Sequence, residues 1–127
     1  MRNDDDARTD RSLDIPGRQE NGGRPLVEIY YFDGCPNHEP ALELVERTSR
    51  ELGIQTDVRL VAVPDLETAR RVHFLGSPTI RVDGQDIDPH TPERTDYALS
   101  CRLFQTESGN TGLPDPRWLR DALRRAK

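Results

Sequence analysis

A chain of 127 residues has the length of one domain with a single core, and too little for two. Its formal net charge of −5 argues against a nucleic-acid partner, because phosphate-backbone binding needs clustered Lys or Arg to displace counterions. No apolar run approaches the roughly 18 residues that span a bilayer, and the N-terminus lacks the apolar stretch of a signal peptide. The expectation is a cytoplasmic protein with no membrane partner, in which two cysteines are reduced, metal-binding or redox-active rather than a permanent staple.

Residues 1–24 carry Asp4, Asp5, Asp6, Arg8, Asp10 and Arg11 among several glycines, with only Leu13 and Ile15 as sizeable apolar groups. Such a segment cannot bury enough surface to offset its backbone entropy and is expected to be a disordered arm, leaving residues 25–127 as the domain. The run Leu26–Phe32 is β-branched and aromatic with one charge, which predicts a strand buried on both faces. It ends at Asp33-Gly34. Pro36 then opens a helical pattern with Ala41, Leu42, Val45, Ser49 and Leu52 on one face and Glu39, Glu43, Glu46, Arg47 and Arg50 on the other, stopping at Gly53.

Val58–Val63 predicts a second strand, and Pro64-Asp65 caps a short helix using Leu66, Ala69, Val72 and Leu75. Gly76-Ser77-Pro78 interrupts before Thr79–Val82, whose β-rich residues and following Asp83-Gly84 predict a hairpin into Gln85–Ile87. Residues 88–100, with Pro89 and Pro92, read as an irregular excursion. Cys101–Phe104 reads as a short extended piece, and 108–112 as loop. Asp115 caps a last helix with Pro116 in its first turn, and Leu119, Ala122, Leu123 and Ala126 share a face beside Trp118.

A strand, a tight turn carrying Cys35-Pro36, a helix, further βα units and Ser77-Pro78-Thr79 ahead of a hairpin resemble the thioredoxin-like superfamily over roughly residues 26–87 and 113–125. The resemblance implies an α/β fold with a mixed sheet flanked by helices. It also implies an active thiol at Cys35, a cis peptide at Ser77-Pro78, and a substrate groove formed by Pro36, Ser77, Pro78 and Thr79. The chain is also similar to short uncharacterised thioredoxin-like proteins that carry G-C-P-N-H after the first strand, some of them labelled alkylmercury lyase.

The local motif departs from C-x-x-C, because Cys35-Pro36-Asn37-His38 has no second cysteine. Dithiol exchange within the motif is impossible. What remains is a thiol at a helix N-terminus, where the helix dipole favours the thiolate, with His38 three residues on as a partner or proton acceptor and the nearby Asp33 and Glu39 opposing. Cys101 is either a small core residue, shielded from solvent, or the missing resolving thiol. The leading expectation is thiol-disulfide exchange through Cys35, Cys101 and His38 on a protein or small-molecule thiol or disulfide substrate, with no cofactor. Two others stand beside it. Cys35 and Cys101 could hold a soft ion such as Hg(II) between them, with Asp33 the nearest acid for organomercurial chemistry. Cys35-x-x-His38 with Cys101 falls short of a structural zinc site. Alternatively, the chain keeps the fold and its groove as a binding module without chemistry.

Overall fold

The structure is a computed structural model that describes residues 24–91 and 94–126. The expectation for the arm falls on residues outside these, apart from Arg24, which ion-pairs with Asp57 at 3.5 Å. In chain order the elements are β1 (Leu26–Tyr31), α1 (His38–Leu52), β2 (Asp57–Ala62), α2 (Leu66–Arg71), β3 (Thr79–Val82), β4 (Gln85–Asp86), β5 (Phe104–Thr106), β6 (Gly109–Thr111) and α3 (Pro116–Ala126). Strands β2, β1, β3 and β4 lie side by side in one sheet, with β1 parallel to β2 and antiparallel to β3. β5 and β6 form a separate hairpin. The order βαβαββ followed by a C-terminal helix, with helices against a mixed sheet, decides the architecture. This is a thioredoxin-like α/β fold.

Alternation along β1 directs Val27 and Ile29 to one face, where they meet Ile80 and Val82 of β3, Ala41, Leu44 and Val45 of α1, and Leu119 and Leu123 of α3. Each fully buried aliphatic side chain there contributes on the order of 1.5–3 kcal/mol. The opposite face is covered only in part, so β1 is not buried on both faces as its composition predicts. The short α2 and the turn after it bring Val63, Ala69 and Phe74 over Tyr30 and Phe32, and reach no further along the strand. Beyond that patch charges do the covering. Arg59 reaches Glu28 at 3.7 Å, and the Arg81 guanidinium lies 4.4 Å from the centre of the Tyr30 ring.

The helix caps follow the sequence closely. Asp65 accepts the Thr68 N–H at 2.8 Å, Asp115 accepts the Arg117 N–H at 2.9 Å, and Gly53 closes α1 by donating to Arg50 O at 3.2 Å. α1 begins at His38 rather than Pro36, because residues 36 and 37 are still in a turn. α2 ends at Arg71, leaving Val72 and Leu75 to the turn that follows. Residues 109–111, predicted as loop, pair with 104–106 around Glu107-Ser108. Strands of three residues are too short to show a period against a Ser-Gly-Asn-Thr background. Among the described residues no helix is long and apolar enough to cross a membrane.

Candidate functional site

The turn that leaves β1 is closed by the Cys35 N–H, which donates to Phe32 O at 3.2 Å. The turn aims Cys35 inward, and only 3% of the residue is exposed. Its sulfur accepts one hydrogen bond, from the Asn37 N–H at 3.4 Å, one of the free donors ahead of α1. His38 Nδ1 lies 2.9 Å from Cys35 O. A carbonyl only accepts, so the proton sits on Nδ1 and that nitrogen serves the main chain rather than the sulfur. The ring stacks on Tyr31 with centroids 4.5 Å apart. Pro36 is exposed at the rim. From the other side Gly112 packs against the Asn37 side-chain amide, leaving no room there for a Cβ.

Ser77-Pro78 is a cis peptide, and Ser77, Pro78 and Thr79 are all buried. The chain's own later segment covers Ser77 and reaches Thr79. Ala98 N donates to Phe74 O at 3.1 Å, Ser77 N to Ser100 O at 2.8 Å, and Arg102 N to Ser77 O at 2.9 Å, so residues 98–102 run as a strap along 74–77. Cys101 lies opposite Ser77 in a parallel bridge. The close approach requires Gly76, where a Cβ would fall 2.9 Å from Arg102 Cβ and where φ is +124°, a region L side chains avoid.

Arg102 fixes the strap from within. The residue is 1% exposed, and its Nη1 donates to Thr79 Oγ1 at 3.0 Å and Asp86 Oδ2 at 2.8 Å. Nη2 donates to Asp88 Oδ2 at 3.1 Å and Thr91 Oγ1 at 3.4 Å, and the guanidinium lies 4.5 Å from the centre of the Phe104 ring. Thr79 Oγ1 can accept from Arg102 because its own proton goes to Gly76 O at 2.6 Å. Arg102 Nε and Ser77 Oγ have no partner among the described residues. One cation thus ties the strap to the start of β3, the end of β4 and the loop after it. Sequence reasoning missed Arg102, Asp86 and Asp88 as a group. The available signal was parity, because in an extended Cys-Arg-Leu-Phe segment Arg102 must share the inward face with Phe104.

The same parity turns Cys101 and Leu103 outward. Cys101 is exposed, contrary to the shielding expected of it, and Leu103 shows 62% of its surface. Both thiols are free, and their exposures are the reverse of those expected for an attacking and a resolving pair. Two clefts flank the strap. One of about 320 Å³ lies between His73, Arg81, Arg94 and Tyr97, and one of about 390 Å³ between Asp88, His90, Arg94, Leu103 and Gln105. Neither is lined by a cysteine. Among the described residues no group of three or more His, Cys, Asp or Glu side chains converges on a point where a metal ion could sit. No protein-family model matches the chain, and no curated protein matches it.

Proposed function

We propose that the protein is a binding module built on the thioredoxin-like fold, and that it docks a partner protein through the outward side of residues 101–105 without a thiol-disulfide cycle. The observation that carries this reading is the strap: both main-chain groups of Ser77 are engaged by the chain's own Ser100 and Arg102, so the groove expected to take a substrate is filled internally. The buried Cys35 sulfur agrees, and so does the absence of a second cysteine in its turn. Among the described residues Leu103 is the most exposed large hydrophobic side chain, and Cys101 and Gln105 flank it on the same side. Soft-metal binding between Cys35 and Cys101 has less support, since one thiol is buried and the other exposed.

The test compares the wild type with Cys35→Ser and Cys101→Ser for turnover of glutathione disulfide, and follows labelling of each thiol by a chromogenic disulfide. A binding module shows no turnover above that of an equal concentration of free cysteine. Cys101 then labels in the folded protein, and Cys35 labels only when the fold opens. A second reading, thiol-disulfide exchange begun at Cys35 and resolved by Cys101, is favoured by one observation, the Asn37 N–H aimed at Sγ, which is a donor a sulfur anion can use. Turnover that Cys35→Ser abolishes establishes this second reading and overturns the first.

A further inference from the structure

The edge of the sheet formed by β2 has a self-complementary pattern. Asp57 N donates to Pro25 O at 2.9 Å and Val63 N to Tyr31 O at 2.7 Å, so the odd-numbered residues of β2 spend their main-chain groups on β1. By alternation Val58, Leu60 and Ala62 point theirs away from the sheet. Among the described residues no strand pairs with that side. The register Val27↔Val58 and Ile29↔Leu60 sets both β2 side chains on the α1 face, yet Val58 is 37% and Leu60 46% exposed because α1 sits over β1 rather than over the edge. Between that edge and the end of α1 runs an open groove of about 680 Å³ lined by Ile54, Val58 and Arg50 among others. Natural edges are usually blunted by charge, proline or a bulge, whereas β2 has no proline and sets its two charges, Asp57 and Arg59, on the face away from α1.

We propose that a second copy of this chain occupies the edge, β2 pairing antiparallel with β2 about a two-fold axis perpendicular to the sheet. Every register centred on a residue keeps the α1 faces of both copies on one side, and among those centred in the middle of β2, on Val58, Arg59 or Leu60, charge chooses. Centring on Arg59 sets Arg59 against Arg59 of the second copy, which repels. Centring on Leu60 leaves Arg59 opposite Val61. Centring on Val58 makes it the hydrogen-bonded pair its outward main chain requires, and sets Asp57 opposite Arg59 of the second copy twice over, extending the Arg24–Asp57 and Glu28–Arg59 ion pairs that each copy makes within itself. Val58 then meets Val58 of the second copy on the axis, and Leu60 of each copy lies opposite Thr56 of the other, over the groove that Thr56 and Val58 line.

Sedimentation of the full chain across a concentration series tests this, alongside Arg59→Asp and the charge swap Asp57→Arg/Arg59→Asp, with circular dichroism to confirm folding. The expected result is a wild-type dimer whose dissociation constant rises at least tenfold in Arg59→Asp and returns toward the wild-type value in the swap. Hydrogen exchange of the wild type needs no variant, and protection of the Val58 and Leu60 amides should rise with protein concentration. A wild type that stays monomeric at several hundred micromolar overturns the proposal, and protection of those amides in such a monomer would assign the edge to residues 1–23 instead. A dimer indifferent to Arg59→Asp overturns the register and with it the argument.

Discussion

Arg102 brings one positive charge into a pocket that holds two carboxylates, and its desolvation is offset only while every partner remains. Replacing it by Ala strands Asp86 and Asp88 without their cation, a change that costs about 3–5 kcal/mol for a broken buried pair. Urea denaturation of Arg102→Ala should show a loss of that size. Adding Asp86→Asn and Asp88→Asn should recover part of it, because neutral amides tolerate burial better than unpaired charges. A single variant as stable as the wild type would sink the clamp. At this scale the sequence was half legible. Cys35, Pro36 and Pro78 are marked by adjacent turn residues, whereas Arg102 meets Asp86 and Asp88 across separations of 16 and 14 residues that no local pattern encodes.

Helix ends obey local chemistry, and α3 shows how much one residue contributes there. Asp115 accepts the Arg117 N–H at the start of the helix and the Arg117 side chain at 2.7 Å, and that hydrogen-bonded guanidinium holds its carboxyl below the usual range. Asp115→Ala should destabilise the protein by about 1 kcal/mol, the ordinary worth of an N-cap. The pH dependence follows from the sign of the shift. A carboxyl depressed in the folded state contributes stability that is fully present above its unfolded value of about 3.9 and is lost as pH falls through the lower folded value. Thermal melts of wild type and Asp115→Ala should therefore converge in that acidic range, and a gap unchanged below pH 3 would contradict the assignment. Caps made α1, α2 and α3 readable from sequence to within a turn. The β5–β6 hairpin was not, since its one distinguishing feature is Thr106 Oγ1 bonding Gly109 O and the Ser108 N–H across the turn.

For the molecule as a whole, the α1 face of the sheet carries the main core. Leu123 of α3 is fully buried there, and Leu123→Ala should cost about 2–5 kcal/mol in chemical denaturation. A loss below 1 kcal/mol would mean that α3 packs loosely. The order of strands and helices was legible because each element carries its own period and punctuation. That β2 is an edge strand was not, because Val58 and Leu60 read the same whether α1 covers them or leaves them open.

The strap across Phe74–Ser77 has a consequence for how the native state breathes. Its bonds join segments about two dozen residues apart, and it carries no strand or helix from 98 to 102 that could persist alone. Such a segment opens as a unit, at a free energy below that of global unfolding. The Ser77 and Arg102 amides, which bond the strap in opposite directions, should therefore show the same protection factor against deuterium exchange under native conditions. Both should exchange faster than Ile29 at the centre of the sheet, and both should be accelerated together in Arg102→Ala. When the strap lifts, Ser77 and the wall beside it meet solvent for as long as the opening lasts, so the protein samples an uncovered groove at a frequency set by one buried guanidinium.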